Sequence, residues 1–231
     1  MNDSLANTAI THETMAKSID HTLLKPEATY TDLDVFAQEA LTHGFCAVCV
    51  NACHVKRVYD ILKDSGVHVC TVVGFPLGAA HEKAKACEAE AAIEDGAMEL
   101  DMVLNIGALK SGDFKTAQSD IQAVRHAAGP DRILKVIIET CLLTEKEKVL
   151  ACKIALSADA DFVKTSTGFS SGGASTADVR LMKQIVGDSM RVKASGGIKD
   201  WDTAAAMIQA GASRIGTSSG VAILQNGPKS G

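Results

Sequence analysis

The sequence predicts an α/β protein with a (β/α)8 TIM barrel fold and a short extra N-terminal helix. Eight short apolar runs alternate with helical patterns along the 231 residues. Runs that are apolar on both faces are typical of a parallel sheet covered by helices. An open doubly wound sheet is the alternative, but eight regular units favour a closed barrel, and the glycine-rich dinucleotide fingerprint of the open fold is missing.

The first unit shows the repeating pattern. A strand-like run ends before Pro26, because proline has no backbone N–H to donate to a neighbouring strand. An apolar stripe that includes Leu33 and Ala37 then predicts a helix over 31–42, which Gly44 ends. The predicted strands are 19–24, 45–50, 67–74, 98–104, 133–139, 161–166, 190–195 and 214–217. The predicted helices are 11–17, 31–42, 55–63, 82–94, 114–128, 145–156, 177–186, 201–210 and 221–225.

Composition and charge limit the classes of partner that the protein can have. The chain has 46% hydrophobic residues and a net charge of −5, from 23 Lys+Arg against 28 Asp+Glu. This balance gives no basic footprint for nucleic acid or an anionic membrane, so we expect a small soluble substrate. We also expect one domain over 1–231, with residues 1–9 disordered and 226–231 forming a flexible tail. No signal peptide or membrane span is recognisable, which favours a cytoplasmic protein.

The seven cysteines do not form a recognisable framework. Their odd number and scattered positions fit a reducing cytosol. Cys46 and Cys49 form a Cys-x-x-Cys pair that is followed by Cys53 and His54, a spacing that superficially suggests zinc. No second ligand pair matches it, and in a strand the first two sulfurs would point to opposite faces. We therefore expect no metal site.

Charged residues inside the predicted strands are the informative exceptions to an aliphatic barrel interior. They are Asp101, Lys135, Lys164 and Lys193. Strand alternation places Lys164 and Lys193 on inward faces of neighbouring strands, where each ammonium disfavours protonation of the other. Such repulsion lowers the pKa of an amine nucleophile toward neutral pH. The alternative interpretation is a satisfied polar network without catalytic function.

Glycine and serine follow the last two strands. The segments are ASGGI at 194–198 and IGTSSG at 215–220. Glycines let the backbone approach an anion, and following helices supply N–H donors, so barrels often bind phosphate there. Gly168, with Gly172 and Gly173 after strand six, is expected to close a third side. Tight turns without a ligand are the alternative.

Seven motifs in the predicted strands and the loops that follow them form a distinctive combination. They are DHTLLKP at 20–26, VGFPLG at 73–78, ELDMVLN at 99–105, KVIIET at 135–140, FVKTSTGF at 162–169, VKASGGI at 192–198 and RIGTSS at 214–219. Together they resemble the deoxyribose-phosphate aldolases, a family of class I aldolases with a (β/α)8 barrel. The resemblance extends from Ile19 to about Leu224, and the motifs in combination are highly specific.

The resemblance implies a reaction and a set of site residues. The reaction is reversible cleavage of 2-deoxy-D-ribose 5-phosphate to D-glyceraldehyde 3-phosphate and acetaldehyde, in deoxyribonucleoside catabolism. Lys164 would form the Schiff base, and Asp101 and Lys193 would relay protons. The implied phosphate contacts are Gly168, Gly196, Gly197, Ser218 and Ser219. The implied substrate or supporting residues are Asp20, Thr22 and Lys135. No metal or cofactor is required, because the protonated imine accepts the electrons of the broken bond, and a homodimer is expected.

Some expectations stay open from the sequence. Some family members end in a tyrosine that assists proton transfer, whereas the only tyrosines here are Tyr30 and Tyr59. Cys49 is either an ordinary buried thiol or close enough to the site to react with unsaturated aldehydes. The rival functions are another phosphate-binding barrel enzyme, such as a sugar-phosphate isomerase or a transaldolase-like enzyme, and a barrel that only binds a phosphometabolite.

Overall fold

Eight parallel strands close into a barrel in sequence order, and β8 pairs with β1. This is the predicted (β/α)8 architecture, seen here in a computed structural model that describes residues 10–228. The predicted disorder at 1–9 and the last three residues of the predicted tail, 229–231, lie outside the described residues. The strands are β1 (Ile19–Leu23), β2 (Ala47–Val50), β3 (His68–Val73), β4 (Glu99–Val103), β5 (Ile133–Ile137), β6 (Phe162–Lys164), β7 (Arg191–Ser195) and β8 (Arg214–Thr217).

A helix precedes the barrel, and helices separate its strands. They are α1 (His12–Ser18), α2 (Tyr30–His43), α3 (Val55–Leu62), α4 (Glu82–Glu94), α5 (Ile106–Lys110), α6 (Phe114–Ala128), α7 (Glu145–Ser157), α8 (Thr176–Val186), α9 (Trp201–Gln209) and α10 (Gly220–Gln225). The extra N-terminal helix, α1, is therefore confirmed. None of the helices in the described range combines the length and the apolar character needed to cross a bilayer.

Local sequence explains where the helices begin and end. Before α2, the Thr29 hydroxyl accepts the Asp32 N–H, and the Asp32 carboxylate accepts the Thr29 N–H, which is a capping box. Thr144 and Glu147 repeat this arrangement before α7. At the other end of α2, Gly44 adopts φ 64°, a left-handed angle that glycine adopts without a steric penalty.

The structure contains short elements that the sequence did not predict. Helix α5 has five residues and begins where the Asn105 side chain accepts the Ala108 N–H at 3.0 Å. Two single 3-10 turns lie at Ala52–His54 and Thr140–Leu142. Elements of one turn carry no amphipathic repeat, so periodicity cannot reveal them.

Strand alternation separates an apolar outer layer from a charged interior. In β4, Leu100 and Met102 are buried in the layer between strands and helices, whereas Glu99 and Asp101 face the barrel axis. All four are 0% exposed. The apolar residues of the interior include a small cluster formed by Leu24, Ala47, Cys49, Cys70 and Val72, and the ring of Phe162 beside Lys135 and Arg214. The remaining interior therefore has to satisfy its charges internally.

The first and last helices of the described chain, α1 and α10, contact each other. The His12 ring lies 3.1 Å from the Leu224 carbonyl oxygen at the end of α10. Of the predicted flexible tail, Asn226 still donates to the Ala222 carbonyl at 3.1 Å, and Gly227 lies directly against the Trp201 ring. A β-carbon at Gly227 would come within 2.4 Å of that ring, so this position requires glycine.

Candidate active site

Asp101 is the centre of the charged interior. Its Oδ2 accepts from Lys164 Nζ and from Lys193 Nζ, each at 2.7 Å, and its Oδ1 accepts from Lys135 Nζ at 2.8 Å. Burial alone would raise the pKa of Asp101, but the three ammoniums outweigh burial and hold it well below its usual range. The carboxylate therefore stays ionised between the lysines.

Lys164 and Lys193 are neighbours, as strand alternation predicts. They are directly paired in the register of β6 and β7, and they share one oxygen of Asp101. Their environments differ, however. Burial opposes the charge of Lys193, yet the nearby carboxylates of Asp101 and Asp20 raise its pKa above the usual value. The repulsion between the two lysines therefore does not lower the pKa of Lys193, because the carboxylates of Asp101 and Asp20 both contact its nitrogen.

A second layer of charge lies toward the N-terminal ends of the strands. Arg214 donates to Asp20 Oδ1 and, at 3.0 Å, to Glu99 Oε2. Glu99 Oε2 also lies 2.5 Å from Lys135 Nζ, which links this layer to Asp101. Burial opposes ionisation of Glu99, but Lys135, His68 and Arg214 lower its pKa. Four cations and three anions thus form one connected network: Lys135, Lys164, Lys193, Arg214, Asp20, Glu99 and Asp101.

Glu99 and Arg214 were not predicted as members of this network. Both were visible in the predicted strands, at positions that alternation places on the same face as Asp101 and Gly216. Asp20 and Lys135, expected as substrate-binding or supporting residues, are 0% exposed and contact other charges. Their contacts favour the supporting assignment.

Thr22 and Cys49 have different positions. Thr22 lines the cleft described below, and its hydroxyl donates to the Asp20 carbonyl at 2.8 Å. Cys49 is 0% exposed and packs in the apolar interior cluster, where a hydrogen bond with Cys70 lowers its pKa. This placement favours a buried thiol over an aldehyde-reactive one.

Two groups of three residues bring potential metal ligands together, namely Cys49, Cys70 and Asp101, and Asp20, Cys70 and Glu99. Neither includes Cys46, Cys53 or His54, so the Cys-x-x-Cys spacing does not correspond to a clustered site in the described residues. The carboxylates of both groups already contact lysine or arginine.

A cleft of about 220 Å³ opens at the C-terminal ends of β1, β6, β7 and β8. Its lining comprises Thr22, Leu23, Leu24, Lys25, Lys164, Thr167, Gly168, Phe169, Ser195, Gly196, Gly197, Ile198, Lys199, Gly216, Thr217 and Ser218. Lys164 is the one member of the charged network on this list, so it alone among them reaches the cleft. Active sites of barrel enzymes lie at this end of the strands.

Backbone N–H groups with no protein acceptor line one side of the cleft. Within residues 10–228, no hydrogen bond is made by the N–H of Gly168, Gly196, Gly197 or Ser218. Gly196 and Gly197 have φ 88° and 81°, which residues with side chains rarely adopt. Converging free N–H groups of this kind are suited to an anion.

Other expected phosphate residues lie elsewhere. Gly172 and Gly173 do not line the cleft; Gly173 packs behind it, where a β-carbon would come within 2.2 Å of the Gly196 carbonyl oxygen. Ser219 is also outside the lining, and its N–H donates to the Thr217 hydroxyl at 2.9 Å. The N-terminus of α9 is not free either, because the Asp200 carboxylate accepts the Thr203 N–H at 2.8 Å. The free N–H groups that line the cleft therefore belong to loops, and the Thr203 N–H at the start of α9 is already used.

Two exposed lysines at the cleft were not predicted. Lys25 and Lys199 both line it, and within the described part of the chain neither belongs to an ion pair. Exposed lysines are common in any sequence, and Lys25 and Lys199 differ from the others only in their position beside the cleft of the folded barrel. Each adds positive charge beside the free N–H groups.

The barrel and its lysine–carboxylate cluster define an aldolase-type (β/α)8 barrel. A family model described as DeoC/LacD family aldolase matches residues 12–226, and the chain belongs to this family.

Named relatives are similar over almost their whole length. A deoxyribose-phosphate aldolase of Brevibacillus brevis is 59% identical over 217 residues, which cover 94% of this chain and 98% of the relative. One from Streptococcus gordonii is 58% identical, with coverage of 93% and 97%. The structure of the tetrameric deoxyribose phosphate aldolase of Aeropyrum pernix superposes with a TM-score of 0.87 at 34% identity, and the match covers 93% of this chain and 91% of that one.

The network predicts how stability depends on pH. Folding lowers the pKa of Glu99 and Asp101, so their contribution is complete above about pH 4, the unfolded value, and is lost as the pH falls. Lys135 contributes to both shifts, so Lys135→Met should move the acid loss of stability upward by about one pH unit. Urea unfolding at a series of pH values measures this shift.

The matched control is Lys56→Met, which removes an exposed lysine paired with Asp60. It should leave the acid profile nearly unchanged. An acid profile of Lys135→Met identical to that of the unmodified protein would contradict the assigned coupling.

Proposed function

We propose that the protein is a class I aldolase that reversibly cleaves 2-deoxy-D-ribose 5-phosphate to D-glyceraldehyde 3-phosphate and acetaldehyde. The observation that carries the proposal is the position of Lys164. It is the network amine that reaches the cleft, and it shares an Asp101 oxygen with a second lysine. The names of the relatives support the choice of substrate.

The first step is imine formation. The neutral amine of Lys164 adds to the aldehyde carbon of the open-chain sugar, and loss of water gives a Schiff base. Lys193 assists, because its raised pKa keeps a positive charge beside the nitrogen that forms the imine. Asp101, which contacts both nitrogens, is placed to move protons between them.

The second step breaks the bond between the second and third sugar carbons. The proton of the 3-hydroxyl passes to a base, and D-glyceraldehyde 3-phosphate leaves. The bonding electrons move into the protonated imine and form an enamine on Lys164. Protonation of the enamine carbon and hydrolysis then release acetaldehyde and restore the amine. We assign the proton transfers to Asp101 and Lys193, since Asp101 contacts the nitrogens of both Lys164 and Lys193. The tyrosines of the chain, Tyr30 and Tyr59, lie on the outer helices α2 and α3.

The phosphate is assigned to the loops after β6, β7 and β8. The free N–H groups of Gly168, Gly196, Gly197 and Ser218 support this assignment, and the Ser218 hydroxyl adds a further donor. Lys25 and Lys199 supply the countercharge. Ser219 contributes indirectly by fixing the loop through Thr217.

The rival functions lack a specific observation in their favour. A sugar-phosphate isomerase works with a carboxylate base and has no need of two lysines on one carboxylate. A barrel that only binds a phosphometabolite has no use for a buried amine beside its cleft.

Two further features belong to the proposal. Self-association, expected as a homodimer, is supported by the tetramer that the Aeropyrum pernix relative forms. A cytoplasmic location is supported by the seven cysteines, all of which are free thiols.

Trapping with borohydride tests the Schiff base. Incubation with acetaldehyde and borohydride should leave one ethyl group on Lys164, located by mass spectrometry of peptides. Lys164→Ala should lose the adduct and reduce turnover on the order of a thousandfold or more without unfolding the barrel. An adduct on another residue of an active preparation would refute the assignment.

Replacement of Lys199 tests whether the substrate phosphate binds at the loops of the cleft. Lys199→Ala should raise KM for deoxyribose 5-phosphate about fivefold with little change in kcat, because an exposed charge contributes to binding and not to chemistry. Added salt should narrow the difference, since screening weakens the lost attraction. Steady-state kinetics at two salt concentrations measure both effects, with Lys146→Ala on exposed α7 as the matched control. A fall in kcat at unchanged KM would contradict the assignment.

A further inference from the structure

Glu139 has an unusual backbone conformation beside the cleft. It lies two residues after β5 with φ 54° and ψ 67°, in the left-handed region that residues other than glycine rarely adopt. Its neighbours fix this conformation: the Ile138 N–H donates to the Lys164 carbonyl at 3.0 Å, and the Thr140 N–H to the Thr165 carbonyl at 2.9 Å. A left-handed residue that its surroundings hold in place often marks a functional site.

The Glu139 side chain is directed at one residue of the neighbouring loop. Both of its carboxylate oxygens lie 3.3 Å from the Thr167 N–H nitrogen, and Oε2 also accepts from the Thr167 hydroxyl. The hydroxyl oxygen of Thr167 in turn accepts the Phe169 N–H at 3.0 Å. Glu139 therefore fixes Thr167 directly and Phe169 through Thr167.

This carboxylate is almost fully enclosed. Glu139 is 2% exposed, and within residues 10–228 no ion pair includes it. Its donors are the N–H and O–H groups of Thr167 and, at 3.9 Å, the thiol of Cys141, which is a weak donor. A buried acceptor whose strong donors all come from one loop constrains the position of that loop.

The arrangement leaves one free amide in the turn. Thr167, Gly168 and Phe169 all line the cleft, and the first and third use their N–H groups internally. The Gly168 N–H has no acceptor among the described residues. Gly168 has φ 83°, so the turn reverses the chain at this amide.

We propose that Glu139 is a positioning residue for the phosphate: it fixes the turn at 167–169 so that the Gly168 N–H is presented to the substrate. Glu139 is not among the residues that line the cleft, and it does not belong to the network of lysines and carboxylates. It therefore acts through Thr167 and not on the reacting atoms. This inference rests on the proposed function, because it assigns the phosphate of that substrate to Gly168.

The test compares two substrates that differ in the phosphate alone. Glu139→Gln should raise KM for deoxyribose 5-phosphate about tenfold, because an amide cannot accept from both Thr167 donors with the strength of a carboxylate. We expect kcat to change less than about twofold, and kcat/KM for unphosphorylated 2-deoxyribose to stay near that of the unmodified protein. Equal losses with both substrates, or no loss with either, would overturn the proposal.

Companion variants separate positioning from folding. Thr167→Val removes the hydroxyl and should reproduce the KM effect, whereas Thr167→Ser keeps it and should restore most of the affinity. Glu139→Gly removes the carboxylate while it tolerates the left-handed backbone, so it should also raise KM without backbone strain at position 139. Glu39→Gln, which changes a glutamate bound to His21 outside the cleft, is the matched control and should leave KM unchanged.

Binding of inorganic phosphate, measured by calorimetry, tests the positioning role of Glu139 separately from the proposed aldolase reaction. If the unmodified protein did not cleave deoxyribose 5-phosphate, the proposed function would fail. Glu139→Gln should still weaken phosphate binding about tenfold in that case. Unchanged phosphate binding would overturn the positioning role by itself.

Discussion

The structure depends on one carboxylate shared by three lysines. Asp101 is fully buried, and each of the three ammoniums lies within 2.8 Å of one of its oxygens. Removing one partner of a buried ion pair commonly costs about 3–5 kcal/mol, since the other charge is left without compensation. The barrel interior has therefore to be arranged as a whole, and the second layer of Arg214, Glu99 and Asp20 completes its charge balance.

This constraint explains why the three lysines have different functions. Lys135 lies between Glu99 and Asp101, away from the cleft, and it has a raised pKa because these attractions outweigh its burial. Lys193 lies between Asp20 and Asp101 and is likewise held as a cation. Lys164 contacts Asp101 alone and is 3% exposed, at the base of the cleft. The amine with the fewest carboxylate contacts is the one that substrate can reach, as the proposed nucleophile requires.

Sequence patterns correctly predicted the barrel and the inward position of most of its charged residues. Alternation and the order of strands were sufficient to place Lys164 beside Lys193 and Asp101 beside Lys135, because a parallel barrel brings inward residues of neighbouring strands into register. Closure of the barrel then brings Asp101 into contact with Lys164 and Lys193. The patterns failed where the outcome depends on contacts between distant segments. Glu99 and Arg214 are 115 positions apart in the chain, and Lys199 differs from other exposed lysines solely in its position on the folded rim.

Gly173 was assigned to the cleft because a glycine required for packing has the same sequence signature as one required for an anion. Glu139 gave no signal, since its left-handed backbone is imposed by β6 and not by its own residue type.

The most direct test of the account is turnover by the unmodified protein. Deoxyribose 5-phosphate mixed with the folded protein, without added metal or cofactor, should release acetaldehyde and glyceraldehyde 3-phosphate in equal amounts. The two products can be measured in separate portions of one sample, acetaldehyde by reduction with an alcohol dehydrogenase and glyceraldehyde 3-phosphate by oxidation with its own dehydrogenase. Equal release at a rate proportional to protein concentration is the predicted result. No release of either aldehyde from a preparation with the intact barrel would contradict the account.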